Sequence, residues 1–421
     1  MKNSILILAT IAGLTILSSC NRKGCTDEKA TNYNEKAKKD DGSCILPETI
    51  IPLLSDDYKE SALNNYSNIV LANYEDALEA AVKMQSDVKA FVSNPSSATL
   101  STAKSSWLSA REPYGQTEAF RFSNGPIDDA DGPEGLLNAW PLDENYIDYV
   151  QDGSSFKYEG VIYDTINYST INATTLEDLN EKGGEKNISI GYHAIEFLLW
   201  GQDLSTTGAG ERSHDDFDIT KYGKIATRRG QYINICADLI VKQLTELTAE
   251  WKSGGSYLTA LESKDVDLAL KEILTGIGVL SKSELAGERM FSALKAQDQE
   301  EEHSCFSDNT HRDIITNAMG IQNVYMGKYT RTNGSEVSGT SIYDLVKIMN
   351  ESLANETSTL ISSSVSNSEN IPVPFDNAIS SEIVGGSGPV MVAIKSLQDT
   401  GDKIAESASS IGITISTDLP D

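Results

Sequence analysis

Apolar positions along this chain recur in steps of three and four. From Leu63 they run Leu63, Tyr66, Ile69, Val70, Tyr74, Leu78, Ala81, Met84, Val88 and Phe91, which predicts one long amphipathic helix ended by Asn94-Pro95. A second helix is predicted from about Ser97 through Trp107 and Tyr114 toward Phe120. Another long one runs from Tyr222 to Trp251 and is broken by Gly254-Gly255. Further helical periods cover roughly 265–296, 308–329, 340–363 and 389–409. Strand-like alternation is scarce, and only FKYEGVIY (156–163) predicts a short hairpin, about Gly160. The expected fold is all-α: two helical-bundle halves packed together, with an approximate boundary at 190–215. An irregular insertion at about 123–188 is rich in Asp, Gly, Asn and Tyr. Its aromatic residues, Trp140 and Tyr146 among them, predict an ordered excursion.

The first residues read as an address. Lys2 precedes an apolar run from Ile5 to Ile16 and then Leu17-Ser18-Ser19-Cys20. The run is too short for a comfortable membrane span and has the layout of a secretory signal over 1–19. Its end looks like a bacterial lipobox, in which Cys20 is lipidated and starts the mature chain. The expectation is an exported lipoprotein held to the cell envelope by its lipid alone, at the outer membrane, on its periplasmic or surface face. Residues 20–54 read as a tether and 55–415 as the helical domain. Within the tether, Cys25 and Cys44 bracket a polar, turn-rich segment that cannot bury a core, and a disulfide is its natural staple. This segment resembles a short GCTD…DDGSC module of exported bacterial proteins. Its carboxylates read either as a solvated spacer or as Ca²⁺ ligands. Cys236 falls within a predicted helix and reads as a buried free thiol.

Composition narrows the partners. The 421 residues are 39% hydrophobic, an ordinary globular share, and Lys+Arg 34 against Asp+Glu 62 gives a formal charge of −28. A nucleic-acid partner needs a basic face, and this chain has little base to spare for one, whereas an acidic surface suits solubility and cations at specific sites.

Three stretches carry chemistry. In Gly191-Tyr192-His193-Ala194-Ile195-Glu196-Phe197-Leu198-Leu199-Trp200-Gly201, the i, i+3 spacing puts His193 and Glu196 on one helix face. A charged Glu beside FLLW needs a partner, either a metal ion or an Arg. HxxE alone is equally the pattern of a structural His–Glu pair, and Phe197 leaves both HExxH and HxxEH incomplete. The second stretch is Glu288-Arg289-Met290 followed by Gln299 to Asp313, with His303, Cys305 and His311. Glu300 and His303 have the spacing of bundle metal sites, and Ser307 or Asp308 reads as the N-cap of the next helix. The alternative is an acidic, capped turn. The third stretch, Trp107 to Phe122, interleaves Arg111, Glu118 and Arg121 with aromatics, which points to partial burial. Asp128 to Glu134 reads as a turn rather than a Ca²⁺ loop, and Asp215, Asp216 and Asp218 read as a helix start.

Taken together, GYHAIEFLLWG, REPYGQTEAFRF and ERM…EEHSCFSDNTHRD resemble the imelysin family and its GxHxxE signature. GPIDDADGPEGLLNAWPLDENYIDYV resembles most the branch called iron-regulated protein A. The likeness spans roughly 55–415. It implies an exported all-α protein whose motif helix borders a cleft between the halves, with a link to iron or haem acquisition. Carried over by position, it makes His193 and Glu196 the motif pair. With Glu118 they form the expected metal set, and Arg121, Arg289, Ser307, Asp308 and His303 are expected to bind a ligand. Glu300 and His311 share the block without a settled place in the cleft. Iron, zinc or haem are the candidate cofactors, and envelope iron-uptake components the candidate partners. Some relatives are classed as metallopeptidases, so a zinc-dependent peptidase is the alternative, and a structural envelope protein the third reading.

Overall fold

The computed structural model describes residues 22–46, 54–128, 132–205 and 207–419. The signal segment and the lipobox Cys20 lie outside them, as do Asp129 and Asp131. No helix among the described residues is long and apolar enough to cross a membrane.

Two compact units divide at residue 53. In the first, Cys25 and Cys44 form a disulfide. Backbone hydrogen bonds such as Thr31 N–H to the Ile45 carbonyl at 2.8 Å and Asn34 N–H to the Cys25 carbonyl at 3.0 Å hold the segment, and side chains add to them. Asn32 accepts the Ile45 backbone N–H at 2.7 Å, and Asp40 and Asp41 turn the chain by accepting the N–H groups of Gly42 and Ser43.

The second unit is mostly α-helical, with two small antiparallel hairpins. The helix Asp56–Ser93 packs against Ser97–Thr117 and Ile219–Glu250. Glu351–Glu369 packs on Pro389–Ser410, which also packs against the helix that begins at Val266. Thr310–Met326 touches both groups, lying on Ser97–Thr117 and on Glu351–Glu369. Local chemistry fixes the boundaries. Ser96 and Thr99 form a capping box, Asp218 caps its helix through the Thr220 N–H, and Asp265 caps the next.

Three expectations are corrected. The hairpin in the insertion pairs Val150–Asp152 with Ser155–Lys157 about Gly153, upstream of the expected position. Gly160 instead opens a helical turn, Gly160–Tyr163, where a Cβ would come within 2.5 Å of the Ile147 backbone. The period over 340–363 is two helices, because Asn350 leaves helical geometry and caps Glu351–Glu369 through the Leu353 N–H. The period over 265–296 is one continuous rod, but Leu280–Phe291 is π-helical. The wider i→i+5 turn is a common device at functional sites, and this one carries Glu284 and Arg289. A second hairpin, Lys328–Thr330 with Glu336–Ser338, had no signal in the hydrophobic pattern.

Candidate functional site

The motif helix is Tyr192–Trp200, and every one of its residues is buried. Gly191 precedes it at φ +93°, and a Cβ there would stand 2.7 Å from the Leu137 carbonyl oxygen. Glycine is needed so that the insertion can cross the helix start. The i, i+3 spacing delivers His193 Nδ1 to Glu196 Oε2 at 2.8 Å. The other Glu196 oxygen accepts the Ser307 backbone N–H at 3.0 Å and the Ser307 hydroxyl at 2.7 Å. Glu196 is thus fully engaged, and its work is to orient the imidazole. Ser307 spends its donors on Glu196 and is not a helix cap. The helix starts at Thr310 after Asn309, and Asp308, between Ser307 and Asn309, sits at φ +55°.

His303 is built the same way. Its ring centroid lies 4.8 Å from that of His193, and its Nδ1 lies 2.8 Å from Asp313 Oδ2. Asp313 also accepts the Ser304 hydroxyl at 2.5 Å and, through Oδ1, Arg111 Nε at 3.2 Å and Nη2 at 3.1 Å. Arg111 donates onward to Asn138 Oδ1. Asn138 Nδ2 donates to Glu118 Oε1 at 3.2 Å and stands 3.5 Å from His303 Nε2. Glu118 Oε2 receives Arg289 Nη2 at 2.6 Å and Arg121 Nη1 at 3.4 Å. The glutamate expected as a third metal ligand is therefore committed to two guanidinium groups and an amide.

Burial, the charge of His303 and that of Arg111 push His193 well below the ordinary imidazole range, so it is neutral. Burial pushes Glu196 up to about 8. With Glu196 ionised, Nδ1–H donates to it and the Nε2 lone pair is free; with Glu196 protonated, Nε2 carries the ring hydrogen. Either way His193 Nε2 is buried and has no hydrogen-bond partner among the described residues. Burial would raise Glu118 too, but Arg289 and Arg121 outweigh it and hold the group down to about 2. In Asp313 the same contest is won by the Arg111 charge and the His303 hydrogen bond, far below the carboxylate range.

A crevice of about 350 Å³ opens beside this network, at the small end of ligand pockets. Five glutamates line it (134, 181, 284, 288 and 301), with Arg121, Arg289, Trp140 and His303. Both arginines are already paired, so the wall favours a cation. His193 lies behind the wall, its side chain fully buried. A larger cavity of about 670 Å³, between the first hairpin and residues 200–212, contains none of these imidazoles.

Other expected residues fall elsewhere. Asp308 faces Asp203 and Asp376, and burial with their charges pushes it up to about 6. Glu300 belongs to a separate acidic group with Glu144 and Asp298. His311 Nδ1 contacts the Asp308 carbonyl at 3.0 Å and does not line the crevice. Among the described residues no group of three or more His, Cys, Asp and Glu side chains is arranged to hold a metal ion. What fits a metal is a pair of imidazoles, each with a carboxylate on Nδ1, which is how proteins commonly prepare an Nε2 ligand. Asn138, Trp140 and Asn317, whose Oδ1 accepts Arg289 Nη1 at 2.8 Å, were not expected in the site. Only the aromatic content of the insertion pointed toward one of them.

The imelysin family model matches residues 70–400. Iron-regulated protein A of Synechococcus elongatus is 25% identical over 271 residues, and the match covers 62% of this chain and 62% of the length of that curated relative. The crystal structure of an iron-regulated protein A precursor from Parabacteroides distasonis superposes with a TM-score of 0.65 at 20% identity, covering 85% of this chain and 96% of that one. An imelysin-like protein from Psychrobacter arcticum gives 0.58 at 13%, covering 86% and 97%. At these identities the structural likeness is one of fold.

Proposed function

The chain belongs to the imelysin family, and from that premise we propose that it is an exported, lipid-anchored envelope protein that captures iron through His193 and His303. What carries the reading is His193 Nε2, a buried imidazole nitrogen with no partner among the described residues, beside a second imidazole of the same construction. Imidazole suits iron and zinc. The remaining coordination positions would belong to water or to a chelator. The five-glutamate wall would raise the local cation concentration. A haem would find little apolar surface there, only Ala139, Trp140 and Pro141. The iron-related name of the curated relative agrees with the reading. The signal segment and lipobox support export and a membrane link through lipid alone, and the charge of −28 speaks against nucleic acid. Envelope iron-uptake components are the natural partners.

Isothermal titration with Fe²⁺, Fe³⁺, Zn²⁺ and haem, on the wild type and on His193→Ala, tests this. A metal ion that binds the wild type and not the variant supports the proposal. Equal binding by both proteins removes the site, and binding of haem alone replaces the ligand.

A further inference from the structure

An ion in the crevice does not meet His193 directly. Two residues that line the crevice also pack on the His193 ring: His303, and Trp140 with its ring centroid 5.0 Å away. They differ in how they are held. His303 is fixed by Asp313 at 2.8 Å, and Asp313 is itself fixed by Arg111. Trp140 is held by packing alone. Its second aromatic neighbour is Phe306 at 5.7 Å, and its indole N–H makes no hydrogen bond among the described residues. Trp107, by contrast, donates its N–H to the Tyr192 carbonyl at 2.9 Å. Trp107, Trp200 and Trp251 are all buried, while Trp140 is half-buried. The indole, with no polar anchor, lines the crevice on one side and packs on the His193 ring on the other.

We propose that Trp140 is the specificity-determining residue of this site: its indole decides what reaches His193 Nε2, admitting a ligand only as the ring swings off the imidazole. The inference rests on the reading of His193 as a ligand-facing imidazole. It makes capture a two-step event, in which a cation first meets the glutamate-lined crevice and His303 and then gains His193 when the ring moves. It also gives bulky ligands a reason to be excluded, since the ring must clear the whole path.

The test needs no metal. Diethyl pyrocarbonate, which acylates unprotonated imidazole nitrogens, is added to the intact protein, and each histidine is followed by peptide mass spectrometry. His214, about a third exposed on the surface, serves as the internal standard. In the wild type His193 should react far more slowly than His214. In Trp140→Ala it should react at least about tenfold faster than in the wild type, the order of change expected when two aromatic pairings are lost. Trp140→Phe, which keeps a ring, should fall between, and it preserves the test if the alanine variant is unstable. Equal His193 rates in the wild type and both variants overturn the proposal, as does a wild-type rate matching His214. Because labelling and metal titration are separate measurements, a gate without metal binding and metal binding without a gate are distinguishable results.

Discussion

Asp313→Ala removes one carboxylate from the interior and leaves much behind. Asp313 and Arg111 are each about 2% exposed, so the guanidinium loses its counter-charge with no water to replace it. The same change strips the acceptor from His303 Nδ1 and from the Ser304 hydroxyl. Removing one partner of a buried ion pair costs about 3–5 kcal/mol, and two orphaned donors add about 1–3 kcal/mol each where they stay buried. Relaxation will recover part of this, so the expected loss is about 4–6 kcal/mol, a large share of the 5–15 kcal/mol that holds a typical domain. Urea denaturation followed by circular dichroism reads it as a lower midpoint at unchanged slope. The double variant Arg111→Met/Asp313→Leu should recover the ion-pair part of the loss, since the pair is replaced by apolar groups of similar size, while His303 Nδ1 and the Ser304 hydroxyl stay without their acceptor. A single-variant loss under about 1 kcal/mol would refute the network as drawn. The pH dependence has a definite sign. The folded state holds Asp313 well below its unfolded value near 3.9, so its stabilisation is full above that value and is lost as pH falls below it.

Other outcomes follow from the same geometry. Gly191→Ala should destabilise by at least about 2 kcal/mol, because the position needs φ +93° and a Cβ would press on Leu137; thermal melting checks it. Glu302 is buried, neither carboxylate oxygen meets hydrogen-bond geometry among the described residues, and burial first, then the Asp376, Asp308 and Asp203 charges, push it up to about 9 against a weaker lowering contact from Thr310. Its folded value lies above its unfolded one near 4.3, so stability should fall as pH rises between them, by about 1.4 kcal/mol per unit. Denaturation across that range should show the slope in the wild type and a flatter one in Glu302→Gln. Glu196→Ala should destabilise by about 2–4 kcal/mol, by orphaning the Ser307 N–H, the Ser307 hydroxyl and His193 Nδ1. A melting point unchanged from the wild type would contradict that arrangement.

Much of this molecule is legible along the chain. Helices with a clear stripe and a local stop, such as Asp56–Ser93 before Asn94-Pro95, follow from periodicity and capping. So does the meeting of His193 and Glu196, because i, i+3 spacing is a property of the helix itself. What periodicity does not carry is register and partnership at long range. The π-helical turn that presents Arg289 to Glu118 leaves the apolar period intact. Asn138 joins Arg111 to Glu118 from within an irregular segment, where an asparagine looks like any turn residue. Asp313 passes for a surface charge in a helix's first turn, and only the arrival of Arg111 from 202 residues away reveals it as buried. The misplaced hairpin has the same origin. Gly160 is there for a close backbone approach, and glycine signals a turn and a close approach alike.

The proposed function turns on the roles of two carboxylates, Glu196 within the motif and Asp313 outside it. Glu196 and Asp313 are read as orienting His193 and His303, and the imidazoles as the groups that take the cation. Crystals soaked with Fe²⁺ or Zn²⁺ and measured at the metal's absorption edge would test this most directly. The account predicts an anomalous peak bonded to Nε2 of His193 and of His303, with Glu196 still on Nδ1. A peak bonded to Glu196 itself, or a metal bound only elsewhere on the protein, would contradict it.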